Sequence, residues 1–250
     1  MLKRAVPLAS IAAIVSTAWL TAQPAPLSIG DEFRMVEVAS VSDAMEQLYG
    51  QRAYMSREMR PVAPAKFAGP AVTVLLKKEE HKEGSAASQG MLDAIDSSPP
   101  GSVYVMVLER GAASPGWSEE GADYAGIGGL MATAMKYRGF AGAVIDASVR
   151  DTPQIRKLQF PVFSRGVAPS TTINHYRVTG VNVPVTCADV LVNPGDIVTA
   201  DEDGVAVVPR AKAADVLKKS QDLDDIEHRM IPFIEKFRSI KEAVKQFGRI

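Results

Sequence analysis

Short β-branched runs alternate with helical stretches along most of this chain, and glycine and proline clusters separate them. Residues 41–50 (VSDAMEQLYG) predict a helix capped by Ser42 or Asp43 and stopped by Gly50. Gly69-Pro70 introduces a strand over residues 71–76, and a helix follows over 88–95, ended by the turn Ser97-Ser98-Pro99-Pro100-Gly101. Residues 103–108, 143–146 and 161–164 read as strands, and 130–138 as a helix. Strands interleaved with helices in this way predict a mixed α/β domain.

From Ile173 the pattern becomes β-rich. Residues 181–185, 190–192, 197–200 and 205–208 read as strands, separated in part by the turn signals Asn193-Pro194-Gly195-Asp196 and Asp201-Glu202-Asp203-Gly204. The tail is helical from Ala211. Met230, Phe233, Ile234, Phe237, Ile240, Val244 and Phe247 recur at helical spacing, and Pro232 predicts that a new helix starts near it. No internal repeat, low-complexity tract or interdomain linker interrupts the chain.

The N-terminus has its own pattern. Two basic residues, Lys3 and Arg4, precede an uncharged stretch from Ala5 to Ile29, with a small-residue exit at Thr21-Ala22. Residues 1–22 read as a signal peptide cleaved after Ala22, giving a secreted or periplasmic protein of residues 23–250 in one domain. An uncleaved membrane anchor is the alternative, because roughly 18 apolar residues can just span a bilayer. The formal net charge of −1, near −3 once Lys3 and Arg4 are removed, gives no footprint for a nucleic-acid partner. Cys187 is the only cysteine, so no internal disulfide exists, and stability falls to a core drawn from 46% apolar residues. His81, His175 and His228 are too scattered for a Cys/His zinc site, and His175 has no evident partner in the sequence.

Candidate chemistry concentrates in residues 128–151 (GGLMATAMKYRGFAGAVIDASVRD). Gly128-Gly129-Leu130-Met131 opens a helix, where unpaired backbone amides favour an anion; an ordinary flexible helix start is the other reading. The spacing is not that of a dinucleotide fingerprint, and a Walker A loop is absent. Arg150-Asp151 follows a strand ending near Asp146. Arg150 suits a carboxylate or a developing oxyanion. Asp151 suits a hard cation such as Mg²⁺, and equally a helix N-cap before Thr152-Pro153. Asp146 reads as a strand-end hydrogen-bonder, Asp201 to Gly204 as a hairpin turn, and Thr186 and Cys187 as packing residues. Glu119, Glu120 and Asp123 form a solvated loop that could lend a carboxylate.

With these residues in view, the chain resembles the RraA-like family, which includes the 4-hydroxy-4-methyl-2-oxoglutarate and 4-carboxy-4-hydroxy-2-oxoadipate aldolases. The matching segments include VSDAM, FAGPAVTV, PGSVYVM, GGLMATAMKYRGFAGAVIDASVRD, FPVFSRGVAPS and VNVPVTCADVLVNPGDIVTADEDGVAVVP, in order between Ser42 and Pro209. The resemblance implies an α/β sandwich with a swivelling-domain core and C-terminal helices, assembled as homotrimers or hexamers with sites between subunits. It implies a divalent-metal lyase, with Mg²⁺ or Mn²⁺, that releases pyruvate from a 4-hydroxy-2-oxo dicarboxylic acid or decarboxylates oxaloacetate through a metal-stabilised enolate. Carried over, Asp151 is the metal ligand, Arg150 neutralises the enolate oxygen, and the amides around Gly128, Gly129, Leu130 and Met131 hold the substrate carboxylate. The methyltransferase label that such proteins often carry finds no S-adenosylmethionine-type glycine loop here.

The chain also departs from that pattern. The aldolase motif sets an acid, then twenty intervening residues, then Arg-Asp, and the acid's position is Gly129 here. Asp123, Glu120 or a neighbouring subunit would have to supply the lost water-mediated anchor, whose loss weakens metal binding or activity by about 10- to 100-fold. Ala147 replaces the usual glycine after the strand aspartate, and Glu227 stands nearest to the glutamate that the aldolases contribute across the subunit interface. A non-catalytic RraA-type regulator that binds protein, or a small-acid binding protein, is the alternative function.

Overall fold

Buried β-branched runs form one large mixed sheet in the computed structural model, which describes residues 27–63, 66–109 and 123–249. The proposed signal peptide and the pair Glu119 and Glu120 lie outside these residues. In chain order the first half contains α1 (Ile29–Phe33), α2 (Val38–Tyr49), β1 (Arg60–Ala63), β2 (Phe67–Lys78), α3 (Gln89–Ser97), β3 (Val103–Leu108), β4 (Ala125–Ile127) and α4 (Gly129–Arg138). Then come β5 (Gly142–Val149), α5 (Thr152–Leu158), β6 (Val162–Val167), β7 (Tyr176–Val181), β8 (Val185–Cys187) and β9 (Val190–Val192). The last are β10 (Ile197–Asp201), β11 (Gly204–Val208), α6 (Ala213–Phe237) and α7 (Ile240–Phe247).

Strands β2, β3, β5 and β6 are mutually parallel and form the centre, in the order β1-β6-β5-β3-β2-β10-β11. Every residue of β3 and β5 is buried, as expected where both faces of a sheet are covered. The period-2 alternation decides which side chain meets which layer. Tyr104, Met106 and Leu108 pack with α3, α4 and α5, whereas Val103, Val105 and Val107 pack against β8 to β11. A third cluster joins α1, α2 and α6 to the outer side of β10 and β11. The α/β sandwich that the resemblance implied and the C-terminal helices read from the sequence are both present.

Several boundaries differ from the sequence reading, each for a tertiary reason. Helix α2 begins at Val38, a turn before Ser42 and Asp43, because remote carboxylates serve its first amides. Asp224 Oδ2 accepts from the Glu37 amide and Asp201 Oδ2 from the Val38 amide, both at 3.0 Å. Strand β2 starts at Phe67 and runs through Gly69-Pro70, pairing first with β10 and then, from Ala71, with β3. Residues 181–185 are not a strand: β7 ends at Val181, and Asn182 turns the chain at φ 53°. Helix α6 continues unbroken through Pro232 and stops at Arg238 (φ 54°), where Ser239 caps α7. Proline removes a single helical hydrogen bond, and rings on both helices brace that region, with Phe233 4.5 Å from Phe237 and 5.6 Å from Phe247.

Candidate functional site

Strands β4 and β5 lie side by side and parallel, with Ala125 opposite Ser148 and Ile127 opposite Val149. Their C-terminal ends therefore release the next residues of each strand at the same place. Gly128-Gly129 enters α4 and Arg150-Asp151 enters α5, and the Arg150 amide donates to the Ile127 carbonyl at 3.1 Å. Strand β5 runs on to Val149, so Arg150 and Asp151 are anchored at a strand end and not in the longer loop expected after Asp146.

Asp151 sits at the N-cap position of α5 with φ 56° and ψ 35°, and its carboxylate makes no hydrogen bond to its own helix. Instead Oδ2 accepts from the Gly129 amide of α4 at 2.9 Å. The Asp151 carbonyl receives the Gln154 and Ile155 amides at 2.9 and 3.1 Å. The capping and site readings of Asp151 are thus served by different atoms. A left-handed Asp is tolerated better than most residues, and such strained conformations concentrate at functional positions.

Arg150 lies beside it, with Nε 3.9 Å from Asp151 Oδ2 and one terminal nitrogen donating to the Ser170 carbonyl at 3.3 Å. Both side chains stay about half exposed, at 42% and 51%. Gly128 is needed here by close approach: a Cβ would stand 2.7 Å from Asp151 Oδ2 and 3.1 Å from Arg150 Nε. Next to these residues opens a cleft of about 240 Å³, whose walls include Met91 and Leu92 of α3, Leu130 and Met131 of α4, and residues 171–173. The amides of Leu130 and Met131 lie in the first turn of α4, where the helix itself provides no acceptor. A guanidinium, a carboxylate and helix-start amides thus border one half-apolar hollow, an arrangement able to hold a small carboxylate and a hard cation together.

Among the described residues that line this cleft Asp151 is the one carboxylate, and no group of three or more described His, Cys, Asp or Glu converges. That donor set is wrong for zinc. It suits Mg²⁺ or Mn²⁺, since Mg²⁺ binds through one or two carboxylates and retains several waters, and carboxylate and water donors suit Mn²⁺ as well.

The other sequence candidates lie elsewhere. Asp123 is exposed, precedes β4, and uses its carbonyl to accept from Ser170 Oγ; it does not line the cleft. Glu227 in α6 holds Arg249 at 2.6 Å, and Arg249 also reaches Asp43 at 3.0 Å. Asp146 is no strand-end residue: it is central in β5, bonds Arg165 of β6, and accepts from the Ala188 amide at 2.7 Å. Residues 201–204 form the expected hairpin between β10 and β11. Cys187 is fully buried as expected, whereas Thr186 points outward. His175, which had no partner in the sequence, bonds Glu80 at 2.9 Å and packs against Tyr124 with ring centroids 4.9 Å apart and the planes tilted by 49°.

Sequence reasoning overlooked Gln154, Thr133, Ser170 and the 171–173 wall. The one local signal for Gln154 was its place three residues after Asp151, in the first turn of α5.

A family model described as RraA-like, Aldolase/RraA, matches residues 38–207. A Halalkalibacterium halodurans protein provisionally named 4-hydroxy-4-methyl-2-oxoglutarate aldolase is 31% identical over 207 residues, covering 80% of this chain and 87% of its own. Among solved structures, an uncharacterised protein from Pseudomonas syringae pv. tomato superposes with a TM-score of 0.71 at 27% identity, covering 86% of this chain and 96% of that one. Streptomyces coelicolor RraAS2, described as an unusual member of the RNase ES inhibitor RraA protein family, gives 0.66 at 26% identity, covering 80% and 93%.

Proposed function

The chain belongs to the RraA-like family, and from that premise and the geometry of its cleft we propose that it is a divalent-metal lyase acting on small 2-oxo acids. The reaction is retro-aldol cleavage of a 4-hydroxy-2-oxo dicarboxylic acid to pyruvate, or decarboxylation of oxaloacetate. The observation that carries this reading is the convergence of Arg150 and Asp151 on the first turn of α4. Asp151 would hold Mg²⁺ or Mn²⁺, and a cation there supplies an electrophile for the 2-oxo acid. The Leu130 and Met131 amides orient the substrate carboxylate. Arg150, braced by the Ser170 carbonyl, faces the oxygen on which negative charge develops as the C–C bond breaks. Met91, Leu92 and Ile173 supply the apolar wall that limits water around it.

The test is pyruvate release from 4-hydroxy-4-methyl-2-oxoglutarate and from oxaloacetate, followed through NADH oxidation by lactate dehydrogenase. Activity is expected with Mg²⁺ or Mn²⁺, abolished by EDTA and reduced by at least about 10²-fold in Asp151→Ala. Purified protein that releases no pyruvate in a metal-dependent way sinks the proposal.

A second reading is favoured by the side-chain-free Gly129: the cleft binds a small acid, or the protein binds a partner, without turnover. A stoichiometric protein recovered by pull-down, together with no heat on titrating Mg²⁺ and pyruvate, would support a regulator. Binding of pyruvate without product would support a small-acid binding protein. As further proposals, copies assemble as homotrimers or hexamers, and residues 1–22 direct the chain out of the cytoplasm.

A further inference from the structure

A side chain at residue 129 would need the space that Gln154 fills. A Cβ there would stand 2.3 Å from Oε1 and 2.6 Å from Cδ of Gln154, and 3.2 Å from Cβ of Asp151. The two closest atoms are the far end of one flexible side chain. Gln154 is therefore folded in over the first turn of α4, although the residue is largely open to solvent. An exposed glutamine loses rotamer freedom when held this way, so something must hold it.

The hold is a closed circuit of hydrogen bonds. Gln154 Nε2 donates to Thr133 Oγ1 at 3.1 Å, and Thr133 Oγ1 donates to the Gly129 carbonyl at 2.6 Å. The Gly129 amide donates to Asp151 Oδ2 at 2.9 Å, and the Gln154 amide donates to the Asp151 carbonyl at 2.9 Å. The circuit passes from α4 to Asp151 to α5 and back. Each member orients the next, and Asp151 is the one charged group in it.

We propose that Gln154 is a positioning residue of this cleft. Its carboxamide fills the volume beside Asp151 that residue 129 leaves empty, ties the first turns of α4 and α5 together, and fixes the orientation of the Asp151 carboxylate. It does so with an uncharged oxygen. The cleft therefore avoids a second carboxylate that would repel Asp151, and attracts a cation less strongly in exchange. The inference rests on the reading of the cleft as a cation and 2-oxo-acid site.

The test uses the full protein and the variants Gln154→Ala, Gly129→Ala, their combination, and Gln154→Glu. Hydrogen exchange at the Gly129 amide is followed by NMR in metal-free protein, and Mn²⁺ affinity by electron paramagnetic resonance titration. In Gln154→Ala the Gly129 amide is expected to exchange about five- to tenfold faster, and Mn²⁺ to bind about tenfold more weakly.

Gly129→Ala should expel the carboxamide without unfolding the protein and weaken Mn²⁺ to the same extent. The double variant should then be no weaker than either single one, which is the non-additivity expected of two changes that remove one interaction. Gln154→Glu should bind Mn²⁺ about tenfold more tightly than the wild type. A glutamine that only packs would leave both the Gly129 exchange rate and the Mn²⁺ affinity unchanged in Gln154→Ala.

Unaltered Gly129 exchange in Gln154→Ala, or additive effects in the double variant, overturn the proposal. If the wild type binds no Mn²⁺, the cation reading of the cleft fails, while the exchange rates in metal-free protein still decide whether Gln154 holds Asp151.

Discussion

Asp151 illustrates how one residue is asked for two geometries. Its backbone must turn left-handed (φ 56°) to pass from β5 into α5, and its carboxylate must face away from that helix toward the Gly129 amide. Asparagine shares the tolerance for that turn and can still accept the Gly129 bond. Asp151→Asn is therefore expected to fold with a stability within about 1 kcal/mol of the wild type. Its metal-dependent pyruvate release should nevertheless fall at least about 10²-fold, as read by thermal melting beside the coupled assay. Arg150→Lys keeps the charge but replaces the fork that reaches Ser170 with a single flexible point charge. Here kcat should fall by about 10²-fold with an unchanged melting temperature. The adjacency of Arg150 and Asp151 was legible in the sequence, and so was the glycine pair. The role of Gln154 was not, since a glutamine in the first turn of a helix has no distinctive local signature.

At the scale of elements, the period-2 runs were enough to find most of the strands, because alternating burial is a local property of a pleated chain. Element ends were less legible. The start of α2 depends on Asp201 and Asp224, carboxylates far along the chain that no window around Val38 contains. The start of β2 likewise depends on β10, with which Phe67 to Pro70 pair before β3 takes over. That crossing leaves no space beside Gly69, where a Cβ would lie 2.0 Å from the Gly101 carbonyl oxygen. The clash is with backbone and cannot be relieved by a rotamer change. Gly69→Ala should lower stability by about 2 kcal/mol or more, seen as a lower urea midpoint at unchanged slope.

Across the whole molecule, the central sheet joins the cleft to an ion pair on its other face. Asp146 of β5 and Arg165 of β6 bond each other with both side chains only 2% exposed. Asp146 also accepts from the Ala188 amide, and Arg165 from β6 reaches Glu58. Asp146→Ala would strip Arg165 of its buried carboxylate and should lower stability by about 3–5 kcal/mol in chemical denaturation. At the surface, Leu130 and Tyr137 on α4 remain 84% and 83% exposed, and Leu130 lines the cleft. The proposed assembly predicts a solution mass of three or six chains by light scattering, and the proposed export predicts a mature N-terminus at Gln23 by Edman or mass-spectrometric sequencing. A monomer, or a chain retaining Met1, would overturn the respective proposal.

What the sequence determined by itself is what travels through nearest neighbours along the chain. The hydrophobic pattern marked the α/β class, the turn residues marked the β-rich second half, and the order Gly128-Gly129 then Arg150-Asp151 marked the two sides of a site. What the tertiary structure decided is which of these meet. The parallel pairing of β4 with β5 brings positions more than twenty residues apart to hydrogen-bonding distance. The same packing keeps Asp123 and Glu227 off the cleft lining and sets the Gln154 carboxamide against Gly129. Strand pairing and side-chain volume act across space, so no local periodicity can carry them.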